Sequence, residues 1–289
     1  MLFRSFMFPA IELDEKGEYK RDSEGNFTSY WPERWPVEEL LRIKERMGTL
    51  AFSSQYQCDP SGYAGQLFDP EWLHYYDPTR DLAGVWGNLD FVMSVDPNIT
   101  DDPESDNTAV VTAAVDRKHA NVYVLDIFAK PLDFVNQVKE IQRLGNRKQV
   151  SVGGYKYDSE VKISRIGVES TAYQKSLQQT GYLSWLPVTE VKQHNRQKEV
   201  RVLGLQPHIE NGRVMFPDPE KVKVPWWDKF YEEYCTFPKG RRDDMMDALE
   251  ILVTMVSESF GVSGIPYGPG FQGAPRRNHY TFAGGRLIR

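Results

Sequence analysis

The chain has 289 residues, with 35 Lys and Arg against 41 Asp and Glu, a net charge of -6 and 40% hydrophobic residues. At roughly 100 to 200 residues per domain, this length predicts one large domain or two modest ones with a hydrophobic core. Cys58 and Cys235 are the only cysteines and lack zinc-ligand spacing, which excludes a disulfide-rich or zinc-stapled scaffold. The longest apolar stretch, 248–256, is too short to span a bilayer, so we expect a soluble, intracellular protein.

Three segments of the chain differ in composition and in sequence pattern. Residues 1–83 contain an amphipathic pattern that predicts a helix from Pro36 to about Phe52. Residues 84–260 carry alternating strand and helix patterns. Residues 261–289 are rich in Gly and Pro and contain four arginines but no acid, which predicts a flexible basic tail.

The segment 84–260 has the pattern of a mixed α/β domain. Three β-rich runs come first and predict antiparallel strands joined by hairpins. The pattern then alternates between helix and strand, with a further hairpin predicted at Asn211-Gly212. The predicted strands are 90–95, 108–115, 121–128, 161–168 and 183–188, and the predicted helices are 131–144, 170–179, one after Pro225, and 243–257.

Acidic residues occupy comparable places in these elements. Asp96 ends the first strand, Glu169 ends the fourth, and Asp243, Asp244 and Asp247 open the last helix. Each acid alone fits a local role in a turn, near a helix cap or at a helix N-terminus. Together they favour a site, because adjacent strand ends meet at one sheet edge and helix residues three apart share a face.

The clustered acids predict a specific chemistry. A group of carboxylates repels itself unless cations neutralise it, and oxygen-only ligands select hard ions such as Mg²⁺ or Mn²⁺. Two such ions roughly 3.5 to 4 Å apart activate a water and stabilise the leaving oxygen of a phosphodiester. The sequence therefore predicts metal-dependent phosphodiester hydrolysis with two divalent ions.

Several short motifs recur in an order that indicates a family. They are Ser94-Val95-Asp96-Pro97, Asp106-Asn107-Thr108-Ala109, Gly167-Val168-Glu169-Ser170, and Phe237-Pro238-Lys239-Gly240 leading into Asp243-Asp244-Met245-Met246-Asp247. With these motifs, the stretch from about 84 to 260 resembles the nuclease domain of tailed-bacteriophage large terminases. Upstream, the segments 30–35 and 52–57 look like the end of that family's ATPase half.

The resemblance implies a fold, domains and site residues. It implies an RNase H-like α/β fold, with a central mixed sheet whose first three strands are antiparallel and which is flanked by helices. It assigns 1–83 to the end of the ATPase half or a linker, 84–260 to the nuclease domain and 261–289 to the tail. The implied catalytic and metal-binding residues are Asp96, Glu169 and Asp247, with Asp244 as an additional ligand. The sequence contains no GxxxxGK[ST] phosphate loop, so the packaging ATPase is not assigned to it.

Basic residues cluster despite the negative net charge, which is unusual for a nucleic-acid enzyme. Lys192, Arg196, Lys198 and Arg201 outweigh Glu199 in one short stretch. The resemblance implies that this stretch and the Asn211-Gly212 hairpin lie along the DNA path. The alternative is a solvated helix face.

Together, these expectations describe an endodeoxyribonuclease that cuts concatemeric double-stranded DNA during viral genome packaging in the host cell cytoplasm. The implied partners are double-stranded DNA, the portal protein or procapsid, the small terminase subunit and the ATPase motor half, with no membrane. One alternative is another RNase H-like nuclease of the junction-resolvase type, which would prefer branched DNA. The other is a non-catalytic packaging-assembly module, which would bind partners but no metal.

Overall fold

A computed structural model of the chain describes residues 8–97, 107–157, 159–169, 186–191, 197–259, 281–283 and 286–288. The helices are α1 (Val37–Met47), α2 (Thr49–Tyr56), α3 (Phe134–Gly145), α4 (Lys198–Leu203), α5 (Gln206–Glu210), α6 (Trp227–Thr236) and α7 (Asp244–Ser259). Short 3-10 turns are Ser61–Ala64, Pro70–Trp72 and Trp86–Asn88. None of the helices in the described ranges is long and apolar enough to cross a membrane.

The strands form one large sheet and two small hairpins. They are β1 (His74–Tyr76), β2 (Asp90–Asp96), β3 (Thr108–Asp116), β4 (Asn121–Lys130), β5 (Ser151–Val152), β6 (Tyr155–Lys156), β7 (Ile163–Val168), β8 (Val188–Glu190), β9 (Val214–Pro217), β10 (Thr281–Ala283) and β11 (Arg286–Ile288). The large sheet has seven strands in the order β1-β9-β4-β3-β2-β7-β8.

The large sheet is mixed, as predicted. β2, β3 and β4 are consecutive antiparallel neighbours, whereas β7 and β8 extend the sheet in parallel beyond β2, and β9 and β1 in parallel beyond β4. Strands covered on both faces need apolar residues at successive positions, and the central strand β3 is buried from Thr108 to Val115. The predicted mixed α/β class with three antiparallel strands is therefore confirmed.

Helices cover both faces of the sheet, because successive strand residues point to opposite sides. Val92 packs in the core beneath α6 and α7, whereas its neighbours Phe91 and Met93 pack in the core beneath α3. α7 supplies much of the first core with a nearly continuous apolar run from Ala248 to Val256, broken by Glu250 and Thr254. This burial fixes α7 against the middle of the sheet.

The N-terminal helical segment differs from the prediction of one helix after Pro36. It forms α1 and α2, separated at Gly48, whose φ of 83° lies in the left-handed region. A side chain at Gly48 would also meet the side chain of Gln206 at 3.0 Å. Leu40 of α1 and Phe52 of α2 belong to one small core. The amphipathic pattern alone does not predict this break in the helix.

The sheet reaches upstream of the predicted boundary at residue 84. β1 pairs in parallel with β9, and Phe68 and Leu73 belong to the core beneath α7. Glu210 also accepts a hydrogen bond from the backbone of Thr49 at 3.0 Å. The segment before residue 84 therefore packs on the sheet, while its assignment to an ATPase half remains a prediction.

Two predicted elements after residue 180 need correction. The prediction of a hairpin at Asn211-Gly212 is wrong, because this pair ends α5 and leads into β9, which is parallel to both its neighbours. Asn and Gly also commonly end helices, and Gly212 has a φ of 67°. The strand predicted at 183–188 begins only at Val188 within the described residues, and residues 170–185 lie outside them.

Candidate functional site

Two strand-end acids meet at one edge of the sheet. β2 and β7 are parallel, and Val95 pairs with Val168. The next residue on each strand is Asp96 and Glu169, so both carboxylates lie at the same edge. The parallel pairing places these two predicted site residues side by side.

The first turns of α7 bring further acids to this edge. The hydroxyl of Ser94 donates to the carbonyl oxygen of Ala248 at 2.5 Å, which ties β2 to α7. Asp244, Asp247 and Glu250 are each buried, and their spacing of three residues places them on one face of the helix. Asp244 and Asp247 are among the site residues predicted from the sequence, whereas Glu250 is not, although the same spacing extends to it.

The environment of Asp96 strongly disfavours its negative charge. Burial, together with the charges of Asp247 and Glu169, raises the pKa of Asp96 well above its ordinary value, and Lys198 offsets only part of this. The two neighbouring charges therefore act on Asp96 in the same direction as burial. Without an added cation, the acids therefore form a strained electrostatic cluster.

Lys198 supplies some of the missing positive charge from α4. Its Nζ lies 2.5 Å from Oδ2 of Asp247 and 2.7 Å from Oδ1 of Asp243. Burial alone would lower the pKa of Lys198, but these carboxylates raise it above its ordinary value. Burial raises the pKa of Asp247 to about 6 in spite of this ion pair.

Arg201 has the same role about a turn further along α4. Its guanidinium lies 3.6 Å from Oε1 of Glu169 and 3.5 Å from Oε2 of Glu250. Burial raises the pKa of Glu250, while the hydrogen bond from Thr254 and the charge of Arg201 act in the opposite direction. Each of the two cations on α4 is thus shared between two acids.

Asp244 is held from the start of β3. Its Oδ2 accepts hydrogen bonds from the backbone nitrogen of Asn107 at 3.0 Å and from Nδ2 of Asn107 at 2.9 Å. Arg242 lies further away, with 3.9 Å between its Nη1 and the same oxygen. Asn107 belongs to a motif quoted above, but its role was not predicted from the sequence; its neighbour Asp106 lies outside the described residues.

The donor chemistry of this cluster fits a hard divalent cation. The described acids offer only oxygen ligands, and apart from the ion pair with Lys198 neither carboxylate oxygen of Asp247 has a hydrogen-bond partner among the residues that the structure describes. A buried carboxylate in that condition is costly unless a cation neutralises it. Within the same described ranges, no three acidic, His or Cys side chains are arranged as a ready metal-binding group. Lys198 and Arg201 hold these acids in ion pairs instead.

The four predicted DNA-binding residues have different positions. Lys192 and Arg196 lie outside the described residues. The side chains of Lys198 and Arg201 point to the acid cluster and remain 42% and 10% exposed. Of the two, Lys198 is therefore the more accessible to a phosphate.

Comparison with known proteins gives one family match. Residues 93–255, more than half of the chain, match the sequence model of the terminase RNaseH-like domain. This range contains Asp96, Glu169, Asp244 and Asp247. No curated protein matches the chain.

Solved structures with a similar arrangement share little sequence with the chain. The large terminase nuclease of thermophilic phage G20c with bound zinc is 12% identical, with a TM-score of 0.36, and the match covers 64% of this chain and 85% of that one. The large terminase nuclease domain of bacteriophage SPP1 with bound Mn is 13% identical, with a TM-score of 0.41 and coverages of 66% and 98%. The Mn-soaked human cytomegalovirus terminase nuclease domain is 13% identical, with a TM-score of 0.42 and coverages of 68% and 98%.

Proposed function

The chain belongs to the family of terminases with an RNaseH-like domain, and we propose that it is the DNA-cutting nuclease of a viral genome-packaging terminase. Its substrate is concatemeric double-stranded DNA, which it cuts by hydrolysing phosphodiester bonds. Family membership bears out the resemblance and the RNase H-like fold that the motifs imply.

One observation carries the proposal of hydrolysis. Asp96, Glu169 and Asp247 come from two parallel strands and one helix, and burial together with the charges of Asp247 and Glu169 raises the pKa of Asp96. A protein keeps clustered acids that repel one another at a cost to its stability, which is typical of functional sites. The acids therefore serve a ligand that carries positive charge.

The proposed ligand is a pair of Mg²⁺ or Mn²⁺ ions. Asp96, Glu169 and Asp247 would hold them, with Asp244 as the additional ligand oriented by Asn107. Ions held in this way supply an activated water and charge stabilisation at the leaving oxygen of the phosphodiester. The protein's role is to hold the carboxylates at one edge of a buried sheet, where the reacting phosphate is positioned against them.

The proposed DNA path runs along the basic residues Lys192, Arg196, Lys198 and Arg201. Lys198 supports this proposal because its ammonium group is both beside the acids and partly exposed. Family membership suggests further partners, namely the portal protein or procapsid, the small terminase subunit and the ATPase motor half. These partners would hold the DNA, which an isolated chain of net charge -6 binds weakly. The work would take place in the host cell cytoplasm.

Cleavage of supercoiled plasmid tests the proposal. The purified chain is incubated with Mg²⁺, with Mn²⁺ or with a chelator, beside Asp96→Asn. Metal-dependent linearisation is expected, with a loss in the variant of more than roughly 100-fold, because even residues behind the metal ligands typically contribute 10- to 100-fold.

A matched control is Asp116→Asn. Asp116 ends β3 at the opposite edge of the sheet, beside His119, so this variant should cut at the wild-type rate. Equal cleavage by wild type and Asp96→Asn would refute the site assignment. A preference for branched over linear duplexes would indicate a junction-resolvase type, whereas partner binding without metal binding would indicate an assembly module.

A further inference from the structure

The helix that carries two of the proposed metal ligands has an unusual N-terminal cap. The first backbone N–H groups of a helix have no partner within the helix, and the residue before the helix usually accepts from them through its side chain. Asp243 holds that position before α7, since its carbonyl oxygen accepts from the backbone nitrogen of Asp247 at 3.0 Å. A carboxylate at this position is among the preferred caps.

The carboxylate of Asp243 binds Lys198 instead of capping α7. Its Oδ1 accepts from Nζ of Lys198 at 2.7 Å. The cap comes from α6, where Oε2 of Glu233 accepts from the backbone nitrogen of Met245 at 2.9 Å. The side chain of Glu233 belongs to a residue only 5% exposed, so water competes little for it.

Burial makes the ionised form of Glu233 energetically costly at this position. It raises the pKa of Glu233 to about 7, although the backbone amides of Met245 and Met246 act in the opposite direction. An apolar residue would fit this core position at less electrostatic cost. Because Glu233 caps α7 in place of Asp243, the carboxylate of Asp243 is available to Lys198.

We propose that Glu233 is a positioning residue for the metal site, which caps α7 from α6 and thereby keeps Asp243 on Lys198 and Asp244 and Asp247 at the sheet edge. Asp244 is the first residue of α7, and Asp247 lies within its first turn. Without Glu233, the free N–H groups would draw the Asp243 carboxylate back to the helix end. Lys198 would then pair with Asp247 alone, and the first turn of α7 would shift or fray.

This inference rests on the proposed metal site, so the test measures metal binding directly. The affinity for Mn²⁺ is determined by electron paramagnetic resonance of the free ion, without DNA, for wild type, Glu233→Leu and Glu233→Gln. Glu233→Leu removes the acceptor and should weaken Mn²⁺ binding by about 10-fold, the usual effect of losing a residue that orients ligands. Glu233→Gln retains an acceptor oxygen and should bind close to the wild-type affinity.

Asp133→Ala is the matched control. Asp133 caps α3 by accepting from the backbone nitrogen of Asn136 at 2.8 Å, on the other face of the sheet. Its loss removes a helix cap from a helix that packs on the opposite face of the sheet from α7, and should leave Mn²⁺ affinity unchanged. If Glu233→Leu does not fold, Glu233→Asp is measured instead, because it keeps the charge but is one methylene too short to reach Met245.

The possible outcomes distinguish a failure of the positioning role of Glu233 from a failure of the proposed metal site. Weaker Mn²⁺ binding in Glu233→Leu or Glu233→Asp, with Asp133→Ala unchanged, supports the positioning role. Wild-type affinity in these Glu233 variants, or an equal loss in Asp133→Ala, overturns that role and leaves the metal site intact. A wild-type chain that binds no Mn²⁺ overturns the metal site and this inference together.

Discussion

Nζ of Lys198 lies 2.5 Å from Oδ2 of Asp247, so α4 places an ammonium group beside one of the proposed metal ligands. The same group reaches Asp243 at 2.7 Å. Burial raises the pKa of Asp247 even with this partner in place. The ammonium group therefore neutralises only some of a charge that a divalent ion would neutralise more fully.

Replacing Lys198 should destabilise the chain more without a bound metal than with one. Lys198→Met keeps most of the alkyl chain but leaves Asp247 without its ammonium partner. In chelator, we expect a loss of about 1 to 2 kcal/mol in the free energy of unfolding, below the value for a fully buried pair because Lys198 is partly exposed. With Mn²⁺ the difference from wild type should shrink, because the ion takes over the neutralisation. Denaturant unfolding with and without Mn²⁺ measures both values.

The control for this prediction is Lys148→Met. Lys148 pairs with Glu160 at 3.3 Å, but both side chains are well exposed, so the change should stay within about 0.5 kcal/mol in either condition. An equal loss in Lys198→Met with and without Mn²⁺ would contradict the idea that metal and lysine serve the same acid.

Lys198 and Arg201 should contribute unequally to DNA binding. Replacing both by Ala should flatten the dependence of DNA affinity on salt, because each lost phosphate contact removes about 0.9 from the slope. Lys198→Ala should account for most of this change, because Arg201 is nearly buried between Glu169 and Glu250. The binding is measured with Mg²⁺ in the Asp96→Asn background, which leaves the DNA uncut. An unchanged slope in the double variant would remove both residues from the DNA path.

Much of the site was predictable because it depends on local order along the chain. The acids at the ends of β2 and β7 follow recognisable strand patterns, and parallel pairing brings such ends together. The same holds for Asp244 and Asp247, whose spacing alone puts them on one helix face. The short-range sequence pattern therefore predicts which residues lie at the carboxyl end of a strand and which residues share a helix face.

The contacts between distant segments were not predictable from the sequence. Asn107 meets Asp244 across 137 positions, and Glu233 reaches Met245 from another helix. The sequence predicts that Lys198 and Arg201 contact DNA, whereas their pairing with acids depends on how α4 packs beside α7. Charge patterns identify which residues carry charge, but only the packing decides which partner each of them finds.

His208 should make the chain less stable below neutral pH. Burial, together with the charge of Arg213, lowers the pKa of His208 from 6.5 to about 4, and its Nε2 has no hydrogen-bond partner among the described residues. Between these two values the unfolded chain binds a proton that the folded chain does not, so stability falls as the pH falls from about 6.5 to 4. The full loss amounts to about 3 kcal/mol.

Unfolding across this pH range should isolate the effect of His208. Acids whose pKa is raised, such as Asp247, change stability in the opposite direction, so the difference between variants is the useful quantity. His208→Gln should remove the share of the fall that belongs to the imidazole. His119→Gln, at an exposed turn, should retain it. Identical profiles for wild type and His208→Gln would show that His208 takes up its proton as readily in the folded chain as in the unfolded one, so that burial does not lower its pKa.

Asp96→Asn should lose cleavage and yet gain stability in chelator. Burial and the neighbouring charges of Asp247 and Glu169 oppose the ionised form of Asp96, and an amide of nearly the same shape relieves that opposition. We expect the free energy of unfolding at neutral pH to rise by about 1 to 2 kcal/mol, the range typical of relieving unfavourable charge. Asp116→Asn should show no such gain, because the hydrogen bonds of His119 and Lys118 favour its ionised form despite partial burial. A stability loss in Asp96→Asn would mean that this carboxylate serves the fold, and the acids would then need no metal to explain them.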